Sequence, residues 1–179
     1  MNQTIRRSMD SHASRRTQGG VGLIEVLIAV VVMSVGFLAA ARMQVEGMRF
    51  SQSAYYQSQA HFLANDMIDR MRSNIQGVLD GEYDNKTTSS SAVQPGCTDC
   101  TPAEVARLDL FDWSANLYPI KGSAGFIPAL QGGTSPAQGR IIAITGEQYA
   151  IEMTWSEVIA GANTTQRLRI QFELETRGI

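Results

Sequence analysis

"RRTQGGVGLIEVLIAVVVMSVGFLAAARM" spans Arg15 to Met43, and its composition decides the fold. Residues 21–41 form an apolar run interrupted only by Glu25 and Ser34. As a helix rising about 1.5 Å per residue, this run extends roughly 31 Å, close to the ~30 Å of a bilayer's hydrocarbon core. It contains no proline, and Gly36 is tolerated in a membrane helix. A buried helix of a soluble protein would show a polar edge at this length, so residues 21–41 read as a transmembrane helix. Arg6, Arg7, Arg15 and Arg16 precede it. By the positive-inside rule they hold the N-terminus in the cytoplasm, which places everything after Arg42 on the other side.

Glu25 has to be explained. A carboxylate at membrane depth costs about 3 kcal/mol near the centre of a span unless it is paired, which makes it a functional residue by default. A cleaved secretory signal would place its apolar core over about 7–15 residues and end at small residues such as Ala39-Ala40-Ala41. This run is too long, and the acid near its start is unfavourable there. A plain signal anchor, the periplasmic alternative, leaves Glu25 without a purpose. Cleavage after Gly20 supplies one. Val21 becomes a free α-amine, and Glu25 lies four residues on, one helical turn away. The two charges can neutralise one another within a chain or between staggered neighbours, where good geometry offsets desolvation.

"GGVGLIEVLIAVVVMSVGF" resembles the N-terminus of type IV pilins and pseudopilins. The resemblance implies that residues 1–20 are a basic leader, removed by a membrane prepilin peptidase cutting between Gly20 and Val21. It also implies that Val21 is N-methylated and that Glu25 holds the acidic position used in assembly. Val21 and Gly22 depart from that pattern, which more often has phenylalanine and then threonine or serine. The leader is also longer than in many major pilins.

Beyond the span, residues 42–76 read as an amphipathic helix continuing the first. Leu63, Met67 and Met71 recur at helical spacing, Ala64 and Ile68 widen the stripe, and Met48, Tyr55 and Phe62 continue it at intervals of seven. Gly77 is expected to close the helix. Asp66, Asp69, Arg70 and Arg72 read as a solvated face, and His61 as a lone histidine without catalytic partners. "DGEYDNKTTSSSAVQPGCTDC" is a polar surface loop that contains an Asn85-Lys86-Thr87 acceptor tripeptide. Cys97 and Cys100 are the only cysteines. Zinc would want four ligands, and a redox pair would want a βαβ setting, so a structural disulfide in an oxidising compartment is the expectation.

Thr101, Pro102 and Glu104 form a capping box with proline at the first helical position, opening a helix over 102–118. Ala106, Leu110, Trp113 and Leu117 line one of its faces, and Asp109 and Asp112 read as wet surface. Strand patterning starts at Arg140–Thr145 and continues as period-2 alternation through Trp155 and then Leu168–Leu174. The fold class is therefore α+β and pilin-like. A long N-terminal helix, half transmembrane and half docked, packs on a small antiparallel β-meander over residues 140–175, and residues 77–179 form the globular part. "CTDCTPAEVARLDLFDWSANL" and "SQSAYYQSQAHFLANDMIDRMRSN" are similar to minor pilins of the PilV type.

The chain shows no Ser-His-Asp grouping, no metal-ligand cluster and no phosphate-cradling glycine loop, so it reads as a non-enzyme without a cofactor or metal. Its formal charge of −2 includes the arginine-rich start, so the remainder is acidic and offers no stripe for general nucleic-acid binding. The resemblance implies a subunit of a type IV pilus that waits in the inner membrane with its C-terminal domain periplasmic and later enters the pilus. Its partners would be the prepilin peptidase, other minor pilins, the major pilin, the inner-membrane assembly platform and the lipid bilayer. A type II secretion pseudopilin is the alternative within the superfamily. A tip-displayed adhesin or DNA-binding module is the alternative of another class.

Overall fold

The computed structural model describes residues 20, 22–96, 98–122, 125–130, 136–159 and 162–175. Its elements are α1 (Leu23–Ser73), α2 (Ile75–Leu79), α3 (Pro102–Ala115), β1 (Gln138–Thr145), β2 (Gln148–Ile159) and β3 (Ala162–Glu173). The chain divides into two compact units, Met1–Val45 and Glu46–Ile179. A long apolar helix followed by a small three-stranded antiparallel sheet makes this an α+β, pilin-like fold.

In the first unit every residue of α1 is exposed, on all sides of the helix. The segment is long and apolar enough to cross a membrane. Ser34 hides its hydroxyl by donating to the Val31 carbonyl at 2.7 Å, which lets a polar side chain sit among apolar neighbours.

In the second unit α1 becomes one-sided. Tyr56, Ala60, Leu63, Ala64, Met67, Ile68 and Met71 are buried at intervals of three and four. Small Ala60 and Ala64 alternate with larger side chains, so the helix backbone lies close to the core. Met48, Tyr55 and Phe62 do not continue this stripe; they are 71%, 56% and 68% exposed. The reason is angular. Positions seven apart share a face, but Phe62 lies about 100° around the helix from Leu63, so the series follows a different face. Gly77 does not close α1 either. The helix stops at Ser73, and Gly77 sits inside the short α2, buried. A Cβ there would meet Asn74 Nδ2 at 2.5 Å and the Pro102 carbonyl at 3.0 Å, so its role is close approach rather than capping.

α3 opens with the expected box. The Thr101 backbone N–H donates to Glu104 Oε2 at 2.8 Å, and the Glu104 N–H donates back to Thr101 Oγ1 at 3.4 Å. The Thr101 backbone N–H, and after it the Thr101 hydroxyl donating to the same Oε2 at 2.8 Å, hold the Glu104 carboxyl below its ordinary range. α3 ends at Ala115, with turn residues before Pro119. Trp113, at 0% exposure, donates from Nε1 to the Leu63 carbonyl of α1 at 3.0 Å.

The sheet order is β1-β2-β3, all antiparallel. β1 starts at Gln138, two residues before its expected start, because Gly139 belongs to the packing. A Cβ on Gly139 would lie 2.5 Å from Trp113 Cη2, so glycine lets the indole rest on the strand. Gly146, in the left-handed region at φ 55°, turns β1 into β2. The core face of β2 carries Tyr149, Ile151, Met153 and Trp155, all buried. Ile141 of β1 completes that layer, and Leu168, Ile170 and Phe172 of β3 are only partly buried against it.

Gly139→Ala is expected to lower the stability of the globular part by about 2 kcal/mol, since the indole has to move or strain. A urea titration followed by tryptophan fluorescence would show the lower midpoint, whereas Gly122→Ala, at a left-handed position with open space around it, should act through backbone strain alone.

Candidate functional site

Gly20 is coil and exposed, and Gly22 precedes the first helical residue, Leu23. The helix is anchored there by the Glu25 and Val26 N–H groups donating to the Gly22 carbonyl at 3.0 and 3.4 Å. Glu25 stands in the first turn of α1, where the unpaired N–H groups and the helix dipole favour a negative charge. Its side chain is exposed, and among the described residues no cation pairs with it. Val21 lies outside the described residues. Glu25 is the only charged side chain between Arg16 and Arg42. Among the described residues that carboxylate is a charge without a counter-ion, set in an apolar surface.

Residues 15–41 match the prokaryotic N-terminal methylation motif. The chain carries a prepilin-type leader. The match supports a type IV pilin-like protein, a structural subunit rather than an enzyme, processed by a prepilin peptidase and assembled with other pilins. With the apolar helix that follows, it points to membrane anchoring. No curated protein and no solved structure gives a significant match to the chain.

Of the cysteine pair, Cys97 lies outside the described residues, and Cys100 is half-buried immediately before the N-cap of α3. Asp99 between them adopts φ 60°, a left-handed conformation suited to a tight turn. Among the described residues no group of three or more His, Cys, Asp or Glu side chains converges as a metal site. Arg72, Glu147, Glu173 and Glu175 line an open cleft, and Glu46, Arg49, Phe50, Ser53, Glu157, Val158 and Ile159 line a smaller one.

The largest correction concerns charge. Asp66 and Arg70 are not a solvated face, and Asp109 is not wet surface. Arg70 donates from Nε to Asp66 at 3.0 Å and from Nη1 to Asp109 at 3.2 Å, with Asp112 at 3.8 Å. Asp109 is 8% exposed and also accepts from the Tyr83 hydroxyl at 2.6 Å. Asn74 donates to that same hydroxyl at 2.9 Å and to the Pro102 carbonyl at 2.8 Å. One cluster therefore ties α1, α3 and the loop after α2. Burial pushes the Tyr83 hydroxyl well up, and the Asp109 carboxylate adds to that shift. The Arg70 guanidinium is raised by its two carboxylate partners, against desolvation, which is the largest single effect and works in the opposite direction. Sequence spacing shows the Asp66–Arg70 pair. It cannot show Asp109, which lies 39 residues away. Asp69 and Arg72 do behave as a surface pair, at 3.3 Å.

Two outcomes follow. Asp109→Asn leaves Arg70 and Tyr83 poorly matched and should cost about 2–3 kcal/mol, read as a shift in the urea midpoint. Tyr149 is raised from 10.0 to about 12, first by burial and then by donating to Asp84 at 2.9 Å. A folded-state value above the unfolded one stabilises fully below pH 10 and is lost as pH rises through about 12. Tyr149→Phe should therefore flatten the fall of stability across that window; an unchanged slope would show that Tyr149 titrates normally.

Proposed function

We propose that this chain is a minor pilin of the PilV type, a structural subunit taking part in type IV pilus assembly within the initiating or tip complex. The observation carrying this reading is Glu25, the single charge of an apolar span that begins just after Gly20. Prepilin peptidase hydrolyses the Gly20–Val21 bond and releases residues 1–20. The new Val21 α-amine is then methylated and keeps its positive charge. The methylated amine then pairs with the Glu25 carboxylate of a neighbouring subunit, the acid standing exposed in the first turn of α1. At 4 Å and an effective dielectric of about 20, such a pair attracts by about 4 kcal/mol before desolvation is counted, which favours the stagger that brings the two charges together.

On this reading the protein sits in the inner membrane, N-terminus cytoplasmic, with Glu46–Ile179 in the periplasm before passing into the pilus. Its partners are the prepilin peptidase, other minor pilins, the major pilin and the assembly platform. Cys97 and Cys100 close a disulfide that shapes the loop leading into α3. The positive φ of Asp99 and the oxidising compartment support that pairing.

Mass spectrometry of the membrane-extracted protein tests the reading. The expected N-terminus is methylated Val21, with the mass lower by a pair of hydrogens before reduction than after it. A chain starting at Met1 or at Arg42 would overturn it. Glu25→Ala should leave cleavage intact and reduce recovery in sheared pilus fractions by about tenfold or more, the equivalent of ~1.4 kcal/mol.

A further inference from the structure

The two edges of the sheet are built differently. The outer edge of β1 is occupied by the loop at residues 86–88. Thr88 N–H donates to the Gly139 carbonyl at 2.9 Å, Gly139 N–H donates to Thr88 Oγ1 at 3.0 Å, and Ile141 N–H donates to the Lys86 carbonyl at 2.8 Å. Nothing among the described residues pairs with the outer edge of β3 in this way.

The register fixes which groups that edge presents. Leu174 N–H donates to the Glu147 carbonyl at 3.0 Å, and hydrogen-bonded pairs alternate along an antiparallel ladder. Phe172 with Tyr149, Ile170 with Ile151 and Leu168 with Met153 are therefore the bonded pairs facing β2. Arg167, Arg169, Gln171 and Glu173 turn their backbone N–H and C=O groups outward. Their side chains lie on the solvent face, all exposed, while Leu168, Ile170 and Phe172 form a half-covered apolar row on the other face. An edge with unpaired backbone groups and an incompletely covered apolar row is a template for another strand.

We infer that β3 pairs antiparallel with β3 of a second copy of this chain, about a two-fold axis through Gln171, joining the two sheets into one. The charge pattern selects this occupant and this register. Centring on Gln171 sets Arg169 opposite Glu173 and Arg167 opposite Glu175, and symmetry repeats both pairs. Ile170 then lies beside Phe172 of the other copy, covering the apolar row. A shift to the neighbouring axis leaves only one arginine opposite a glutamate, and a further shift sets Arg169 against Arg169 or Glu173 against Glu173. Arg167 is available for exchange: its contact with Glu152 is long, 3.8 Å, with its side chain 65% exposed. The inference does not depend on the pilus reading, since it uses the globular part alone.

Cysteine cross-linking of the full chain in detergent tests it. Directly opposed bonded residues have Cα atoms about 5.5 Å apart, within the roughly 4.4–6.8 Å a disulfide spans. Gln171→Cys should give a disulfide-linked dimer at least about fivefold above both the unsubstituted chain and Asn163→Cys, which shares the strand and face but lies away from the axis. Adding Arg169→Glu should cut the Gln171→Cys yield by about fivefold, and Glu173→Arg on top of it should restore the yield. Equal yields at positions 163 and 171, or a yield indifferent to Arg169→Glu, would overturn the inference. Thermal unfolding of each variant by circular dichroism separates lost pairing from lost fold, and the comparison of positions 171 and 163 decides alone where Arg169→Glu unfolds the chain.

Discussion

The globular part depends on where the Trp113 indole can go. Its nitrogen needs an acceptor and its ring needs room, and these come from two different elements. Leu63 of α1 supplies a carbonyl, and Gly139 of β1 supplies the space a Cβ would fill. A helical carbonyl that already accepts within its helix takes a second donor, so the bond adds to the helix rather than breaking it. Because the ring touches strand and helix at once, α1, α3 and the sheet have little freedom to slide. The fully buried side chains of Leu63, Met67, Met71, Ile141, Ile151 and Met153 pack around that fixed point.

The polar cluster at Asp109 does a second job of alignment on the same helices. Arg70 and Tyr83 converge on one carboxylate, and Asn74 binds both Tyr83 and the first turn of α3. Among the described residues no buried side-chain polar atom lacks a partner, so the network is complete rather than a strained remnant. A half-satisfied network would weaken the core; a complete one fixes which helix faces meet. The bend at Asn74 between α1 and α2 follows from this, since Gly77 leaves the space that the Asn74 amide fills.

A single helix thus serves two solvents. Up to Ala41 the exposed surface of α1 is apolar and carries one acid, suited to hydrocarbon or to other apolar helices. From Tyr56 onward one face is buried by the protein's own core, and the rest is exposed. The methylation motif matches only the first of these regions, and the support it gives to a pilin-like protein comes from there. The second region is where individuality lies: a capped tryptophan helix, a sheet with one closed edge, and an edge whose charges are arranged in self-complementary order.

Much of this was legible in the residues. The membrane length of the span, the acid in the first turn of α1, the Thr101–Glu104 cap and the alternation of β2 are local patterns, set by a helix rise, a backbone donor or a pleat. The stripe of Leu63, Met67 and Met71 belongs with them. What sequence could not decide were contacts between distant positions. Arg70 finds Asp109 only because Trp113 brings α3 onto α1, which turns an expected wet surface into a buried ion cluster. Met48, Tyr55 and Phe62 look like a core stripe until the fold chooses the face that includes Leu63. Gly77 looks like a stop until Asn74 and Pro102 crowd it. In each case the local pattern permits two answers, and packing selects one because the same surface cannot both be buried and face solvent.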